Sequence, residues 1–427
     1  MSADSKALET KARTGDIAAQ FELAIALDRA GNRLVATSWL EAAASGGHAE
    51  ALALLAVRDL QGLETSPNPS RARERLDRGV ALGGNTPRRL LATLTATGVF
   101  GAPDWRRAVS LTIDAAQAND WQALRHLALL TEMAAPRSAL AEDLLLRAGL
   151  LGDGLSGFAI LRRQELTGRT LAPDRAFALW REGLQKIRHP LAELVEGVTA
   201  GQAVTKPPEG HPDYDSIAAL LKEPPGLALN QPSAISDQPF VRRFDKLLTV
   251  EECEYVIGLS SRLLAPASVI DRTAGQAKHS NLRTNSVAVF WPIQQDIVLH
   301  AIDLRLSEAA GLSYANGEMM NILLYKPGEE YRAHFDFFAP EIAAADRSGQ
   351  RIRTLLVYLN TGYGGGETQF VNANMKLKGE PGDAVLFHNC DAVTGAPDRA
   401  TLHAGLPVTS GQKWLLSKWY REKTFAT

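Results

Sequence analysis

The segment Tyr331-Arg-Ala-His-Phe-Asp336, answered far downstream by Ala400-Thr-Leu-His-Ala404, decides how the C-terminal half of this chain is read. His334 and Asp336 are two positions apart. On a β-strand successive side chains point to opposite faces, so His334 and Asp336 share one face and Phe335 takes the other. One short segment can then offer an imidazole and a carboxylate to a single point, and His403 has to arrive there from a neighbouring strand.

Two imidazoles and one carboxylate on one side of a metal form the facial triad of non-haem Fe(II) oxygenases, with zinc as a competing occupant. Three protein ligands leave coordination positions open for a cosubstrate and dioxygen. Ten residues after His403 stands Lys413, followed at period two by Leu415, Ser417 and Trp419. A lysine facing inward among Leu and Trp is costly unless it meets an anion, and a dicarboxylate cosubstrate supplies one. Tyr325 and Tyr358 sit on neighbouring strand-like runs, from which their hydroxyls could reach the same carboxylate. His300 and His388 lack any such context and read as structural.

Around these residues the chain is β-rich. Met320–Tyr325, Thr354–Asn360, Ala384–Phe387, Thr401–Val408 and Trp414–Trp419 read as strands, separated by Gly-rich turns such as Gly362-Tyr-Gly-Gly-Gly366. Short strands punctuated in this way suggest a sandwich or jelly roll. Two helices precede them: Val250–Leu264, with Thr249 and Glu252 at capping-box spacing, and Asp296–Ala310. Prolines at 207, 208, 212, 224, 225, 232 and 239 interrupt any helix and mark a linker over 201–238, with one short helix near Ser216–Leu221.

Residues 1–200 have another texture, rich in Ala, Leu and Arg. Ala51–Gly62 aligns with Pro87–Gly98 at an offset of 36, Ala123–Ala128 follows after another 36, and Gly157–Leu161 after 34. Ala36, Ala72 and Ala108 keep the same beat, with Ala176 two shorter steps on. Periods of this size belong to paired-helix solenoids, in which each pair buries its apolar face only against its neighbours. The expected fold class is therefore α+β and multidomain: an N-terminal α-solenoid over 1–200, the linker, and a C-terminal domain over 239–427.

Charged residues make up 22% of the 427 and net charge is −2, which favours neither nucleic acid nor an anionic membrane as partner. The first residues form no apolar run and no stretch of 18 apolar residues occurs, so neither signal peptide nor membrane span is expected. Two cysteines, Cys253 and Cys390, suit a reducing cytoplasm and read as small buried residues.

The ordered series Leu247–Cys253, Arg283-Thr-Asn-Ser286, Tyr325-Lys-Pro-Gly-Glu-Glu-Tyr331, His334-Phe-Asp336, Arg353–Asn360, Gly365-Gly-Glu-Thr-Gln-Phe370, Lys378–Ala384, Leu402–Val408 and Gly411-Gln-Lys-Trp414 resembles the prolyl 4-hydroxylase branch of the Fe(II)/2-oxoglutarate dioxygenases, over about 236–423. The Ala-rich repeats resemble the Sel-like branch of the tetratricopeptide family. The first resemblance implies a double-stranded β-helix (a jelly roll) with supporting helices. It implies Fe(II) on His334, Asp336 and His403, and Lys413 gripping the distal carboxylate of 2-oxoglutarate. Tyr325 and Tyr358 would assist in cosubstrate binding, and Trp419 would line the substrate side. It also implies O2 as oxidant, ascorbate as reductant, a mobile loop at Val269–Asn281 and a second loop at Asp346–Arg351.

The expected activity is hydroxylation of a prolyl residue in a protein or peptide recruited by the helical repeats. The alternatives are a hydroxylase of another residue or of a free amino acid, an oxygen- or 2-oxoglutarate-responsive interaction protein, and a zinc hydrolase, which Lys413 and Gly365–Phe370 disfavour.

Overall fold

A computed structural model describes residues 3–63, 66–167, 174–199, 209–267, 269–270, 277–278, 282–391 and 394–425. Within it the chain forms two compact units. One comprises Met1–Leu151, Pro208–Glu223 and Pro292–His300; the other comprises Gly152–Pro207, Pro224–Trp291 and Ala301–Thr427.

The first unit is helical and repetitive. Helices begin at Arg33, Pro69 and Trp105, and their partners at Ala49, Asn85 and Trp121, so the period of 36 is the spacing of helix pairs. The residues that keep the beat explain why. Ala36, Ala72 and Ala108 are fully buried, where only a methyl group lets adjacent helices approach. Side chains cap the starts: Asn68, Asp104 and Asp120 each accept from a backbone N–H three residues on. Gly62 and Gly98 close the intervening helices in the left-handed region. Replacing Ala72 by leucine should destabilise this unit by about 1–3 kcal/mol through overpacking, readable as a lower denaturant midpoint. The short helix expected in the linker spans Tyr214–Leu220, and the Trp105 indole donates to the Leu221 carbonyl at 2.9 Å. Residues 201–208 of the expected linker lie outside the described residues.

In the second unit the helices Gly154–Thr167 and Asp174–Ile187 pack on each other. Arg162 and Arg163 fasten the first of these to the helix Val250–Ser260, through Glu254 at 2.9 Å and a bidentate contact with Glu251 at 2.8 Å. The Val250 helix carries the expected capping box between Thr249 and Glu252 and stops at Ser260, one turn short of the expected Leu264.

Among the described residues the unit also holds two larger antiparallel sheets and two short two-stranded pairings. The larger runs edge to edge through Ser233–Asp237, Phe240–Phe244, Ala384–His388, Arg351–Tyr358, Lys413–Arg421, Met320–Tyr325, Ser286–Phe290 and Ala265–Pro266; the smaller runs Met375–Leu377, Thr368–Phe370, His403–Gly405 and Tyr331–His334. Between them lies an apolar core that includes Leu323, Leu356, Phe387 and Leu415 from one sheet and Phe370 from the other. The strand expected over Thr401–Val408 is divided. His403–Gly405 joins the smaller sheet, whereas Val408–Ser410 pairs with Gly364–Gly365. Pro407 has no N–H to give a ladder, which breaks the run between them. Of the loop expected at Val269–Asn281, only the short pairing of Val269–Ile270 with Ala277–Lys278 is described; the rest lies outside the described residues.

Candidate active site

Cross-strand register brings the three sequence-predicted metal-binding residues together. His403 is the direct partner of His334 in the pairing of their strands, and Asp336 lies just beyond the end of the His334 strand. Each residue offers one ligand atom, and these atoms lie within 4.8 Å of one another. His334 Nε2 is 3.6 Å from Asp336 Oδ1, and His403 Nε2 is 3.6 Å from Asp336 Oδ2.

Hydrogen bonds fix the chemistry of both imidazoles. His334 Nδ1 is 2.8 Å from the Arg332 carbonyl and His403 Nδ1 is 2.9 Å from the Thr401 carbonyl. A carbonyl only accepts, so each Nδ1 carries the hydrogen and each Nε2 turns a lone pair inward, the tautomer a metal needs. Tyr331 stacks on His334 with ring centroids 3.5 Å apart. Burial lowers His403 to about 4, so it is neutral near pH 7. Burial alone would raise the Asp336 carboxyl, but the charge that the facing imidazoles of His403 and His334 carry once protonated at acid pH holds it well below the usual carboxylate range. Two imidazole nitrogens and a hard anionic oxygen are a donor set that fits Fe(II).

Lys413, Leu415, Ser417 and Trp419 all line the same pocket, as the period-two reading requires. Lys413 is 2% exposed. Its ammonium donates to the Gly366 carbonyl at 2.7 Å and forms no ion pair with any carboxylate among the described residues. Burial brings it from 10.5 down to about 7, with the more distant Glu367 opposing the shift. Tyr325, its cross-strand partner, lines the pocket as expected.

Tyr358 departs from the expectation. It lies on the same strand face as Thr354 and Leu356 but does not line the pocket. Its hydroxyl is engaged within the core, 3.2 Å from Thr368 Oγ1 and 3.2 Å from the Leu377 carbonyl. His388 stacks on Phe240 at 3.9 Å, and neither it nor His300 lines the pocket.

Sequence reasoning missed Arg283, Tyr331 and Thr368, which do line the pocket. All three stood in recognisable segments, but only tertiary contacts reveal them as wall. Arg351 was missed too: it grips Glu318 with two bonds of 2.6 and 2.7 Å and lies 4.2 Å over the Trp419 ring, setting that indole against the pocket.

A profile of the 2OG-Fe(II) oxygenase superfamily matches residues 320–421. Prolyl 4-hydroxylase 1 of Arabidopsis thaliana is 31% identical over 223 residues, covering 49% of this chain and 77% of that protein. The chain belongs to the prolyl 4-hydroxylase family. Among solved structures, a viral collagen prolyl hydroxylase from Paramecium bursaria Chlorella virus-1 in complex with 2-oxoglutarate aligns at 30% identity, covering 44% of this chain and 98% of that one, with a TM-score of 0.34. A Sel1 repeat protein from Oxalobacter formigenes aligns at 27% identity over 28% of this chain and 93% of that one, with a TM-score of 0.26. As a member of the prolyl 4-hydroxylase family the protein is a 2-oxoglutarate-dependent dioxygenase, and the family's chemistry draws on Fe(II), 2-oxoglutarate and O2.

Proposed function

We propose that this enzyme hydroxylates a prolyl residue of a protein or peptide, with His334, Asp336 and His403 holding the iron. The observation that carries the reading is the convergence, on one pocket, of a His–Asp–His donor set and a buried ammonium with no ion-pair partner among the described residues. Lys413 takes the distal carboxylate of 2-oxoglutarate, and the Tyr325 hydroxyl stands beside it as a further donor. Bound iron supplies the oxidative chemistry: one oxygen atom of O2 goes into decarboxylation of the keto acid to succinate and CO2, the other into a substrate C–H bond.

The chain's own residues set the geometry and keep the site dry. Leu323, Leu356 and Leu415 form its apolar wall, which excludes water and strengthens every charge contact inside. Trp419, braced by Arg351, faces the substrate. The two sheets correspond in this reading to the double-stranded β-helix, ascorbate is the reductant, and the repeats recruit the partner. Free, buried Cys253 and Cys390 are consistent with cytoplasmic residence.

The test is mass spectrometry of proline-containing peptides incubated with the enzyme, Fe(II) and 2-oxoglutarate. The proposal requires one added oxygen on proline, coupled to succinate. Coupled oxidation confined to another residue or to a free amino acid would overturn the prolyl assignment.

A further inference from the structure

Asp336 has two oxygens and both face histidines, so something has to decide which one a metal receives. The Thr354 hydroxyl donates to Asp336 Oδ2 at 2.8 Å. Thr354 in turn accepts from the Asn389 amide at 2.9 Å. Both Thr354 and Asn389 are fully buried, so neither can exchange these bonds for water. A hydroxyl has one hydrogen. With the Asn389 amide occupying a Thr354 lone pair, that hydrogen points at Oδ2. The reverse polarity is closed, because an ionised carboxylate cannot donate. The Asn389 backbone is tied in as well, its N–H donating to the Ile352 carbonyl at 2.9 Å.

From this we infer that Thr354 and Asn389 are positioning residues that reserve Oδ2 and leave Oδ1, the oxygen nearer His334, as the single carboxylate ligand. A carboxylate free to turn both oxygens to the metal would occupy one of the positions a keto acid and dioxygen need. The relay thereby keeps the third open position open. The inference rests on the iron site proposed above, and the experiment separates the two.

Co(II) serves as an oxygen-stable probe whose visible spectrum reports coordination number. Wild-type protein, Thr354→Val, Thr354→Ser and Asn389→Leu are titrated with Co(II) and then with 2-oxoglutarate. Thr354→Val should still bind Co(II), show an altered visible band and bind 2-oxoglutarate roughly 10-fold or more weakly, in line with losses at outer-shell partners of metal ligands. Thr354→Ser, which keeps the hydroxyl, should match wild type. Asn389→Leu, which frees the hydroxyl to rotate, should fall between them and provides the test if the valine variant does not fold. Wild-type spectrum and 2-oxoglutarate affinity in a folded Thr354→Val or Asn389→Leu protein would overturn the relay and leave the iron site standing. Wild-type protein that takes up no Co(II) would overturn both.

Discussion

Lys413→Met should make the apoprotein more stable and its cosubstrate binding far weaker. The two effects share one cause. In the free protein the ammonium is buried against one carbonyl and has no carboxylate ion-pair partner among the described residues, and a buried charge without such a partner is unfavourable. Methionine keeps much of the packed stem and removes the charge, so the melting temperature should rise or hold. Truncating one member of a buried, hydrogen-bonded charge pair costs roughly 2–5 kcal/mol, so the Kd for 2-oxoglutarate should rise about 30-fold or more. A lysine that merely supported the fold would give the opposite pattern: lower stability and unchanged affinity.

Lys413 also sets a pH dependence. Its folded value, lowered by burial to about 7, lies below the ordinary lysine value of about 10.4. Between these limits the unfolded chain holds a proton that the folded chain lacks, so this residue's contribution makes stability rise with pH across that window. Cosubstrate binding needs the charged form. Above about pH 7 binding must take up a proton, and affinity should fall by up to about 10-fold per pH unit. Calorimetry in buffers of different ionisation enthalpy measures that uptake directly, and Lys413→Met should abolish it.

His334→Ala should abolish 2-oxoglutarate decarboxylation as well as substrate hydroxylation. The imidazole supplies one of three convergent ligand atoms, and its Nδ1 bond to Arg332 fixes the donor tautomer. Alanine removes the ligand while the partner strand and His403 remain. Loss of metal-derived stabilisation worth several kcal/mol puts the fall in turnover on the order of 10³-fold or more. His334 is part-exposed at the pocket, so the variant should fold, and its unfolding midpoint without metal should stay close to wild type. Retained decarboxylation in that variant would remove His334 from the ligand set.

The sequence revealed most where a side chain's role follows from strand periodicity. His334 and Asp336 were readable from a two-residue interval, and Lys413 through Trp419 from alternation along one strand. The solenoid was readable because Ala36, Ala72 and Ala108 recur where helices touch. Depth along a strand was not readable. Tyr358 occupies the correct face of Arg351–Tyr358 but does not line the pocket, its hydroxyl turned to Thr368 and Leu377. Pairings made only by the tertiary fold were hidden as well. Thr354 meets Asp336 and Asn389 from separate segments, and Arg351 finds Trp419 across a strand pair. The division at Pro407 could have been anticipated, since a residue without an N–H seldom lies inside a central strand.

The most direct measurement is a crystal structure of the protein with Mn(II) and 2-oxoglutarate under anaerobic conditions. One ion should be bound by Nε2 of His334, Nε2 of His403 and a single oxygen of Asp336, with the keto acid chelating it and its far carboxylate on the Lys413 ammonium. An ion bound elsewhere, or a cosubstrate whose distal carboxylate does not touch Lys413, would contradict the account.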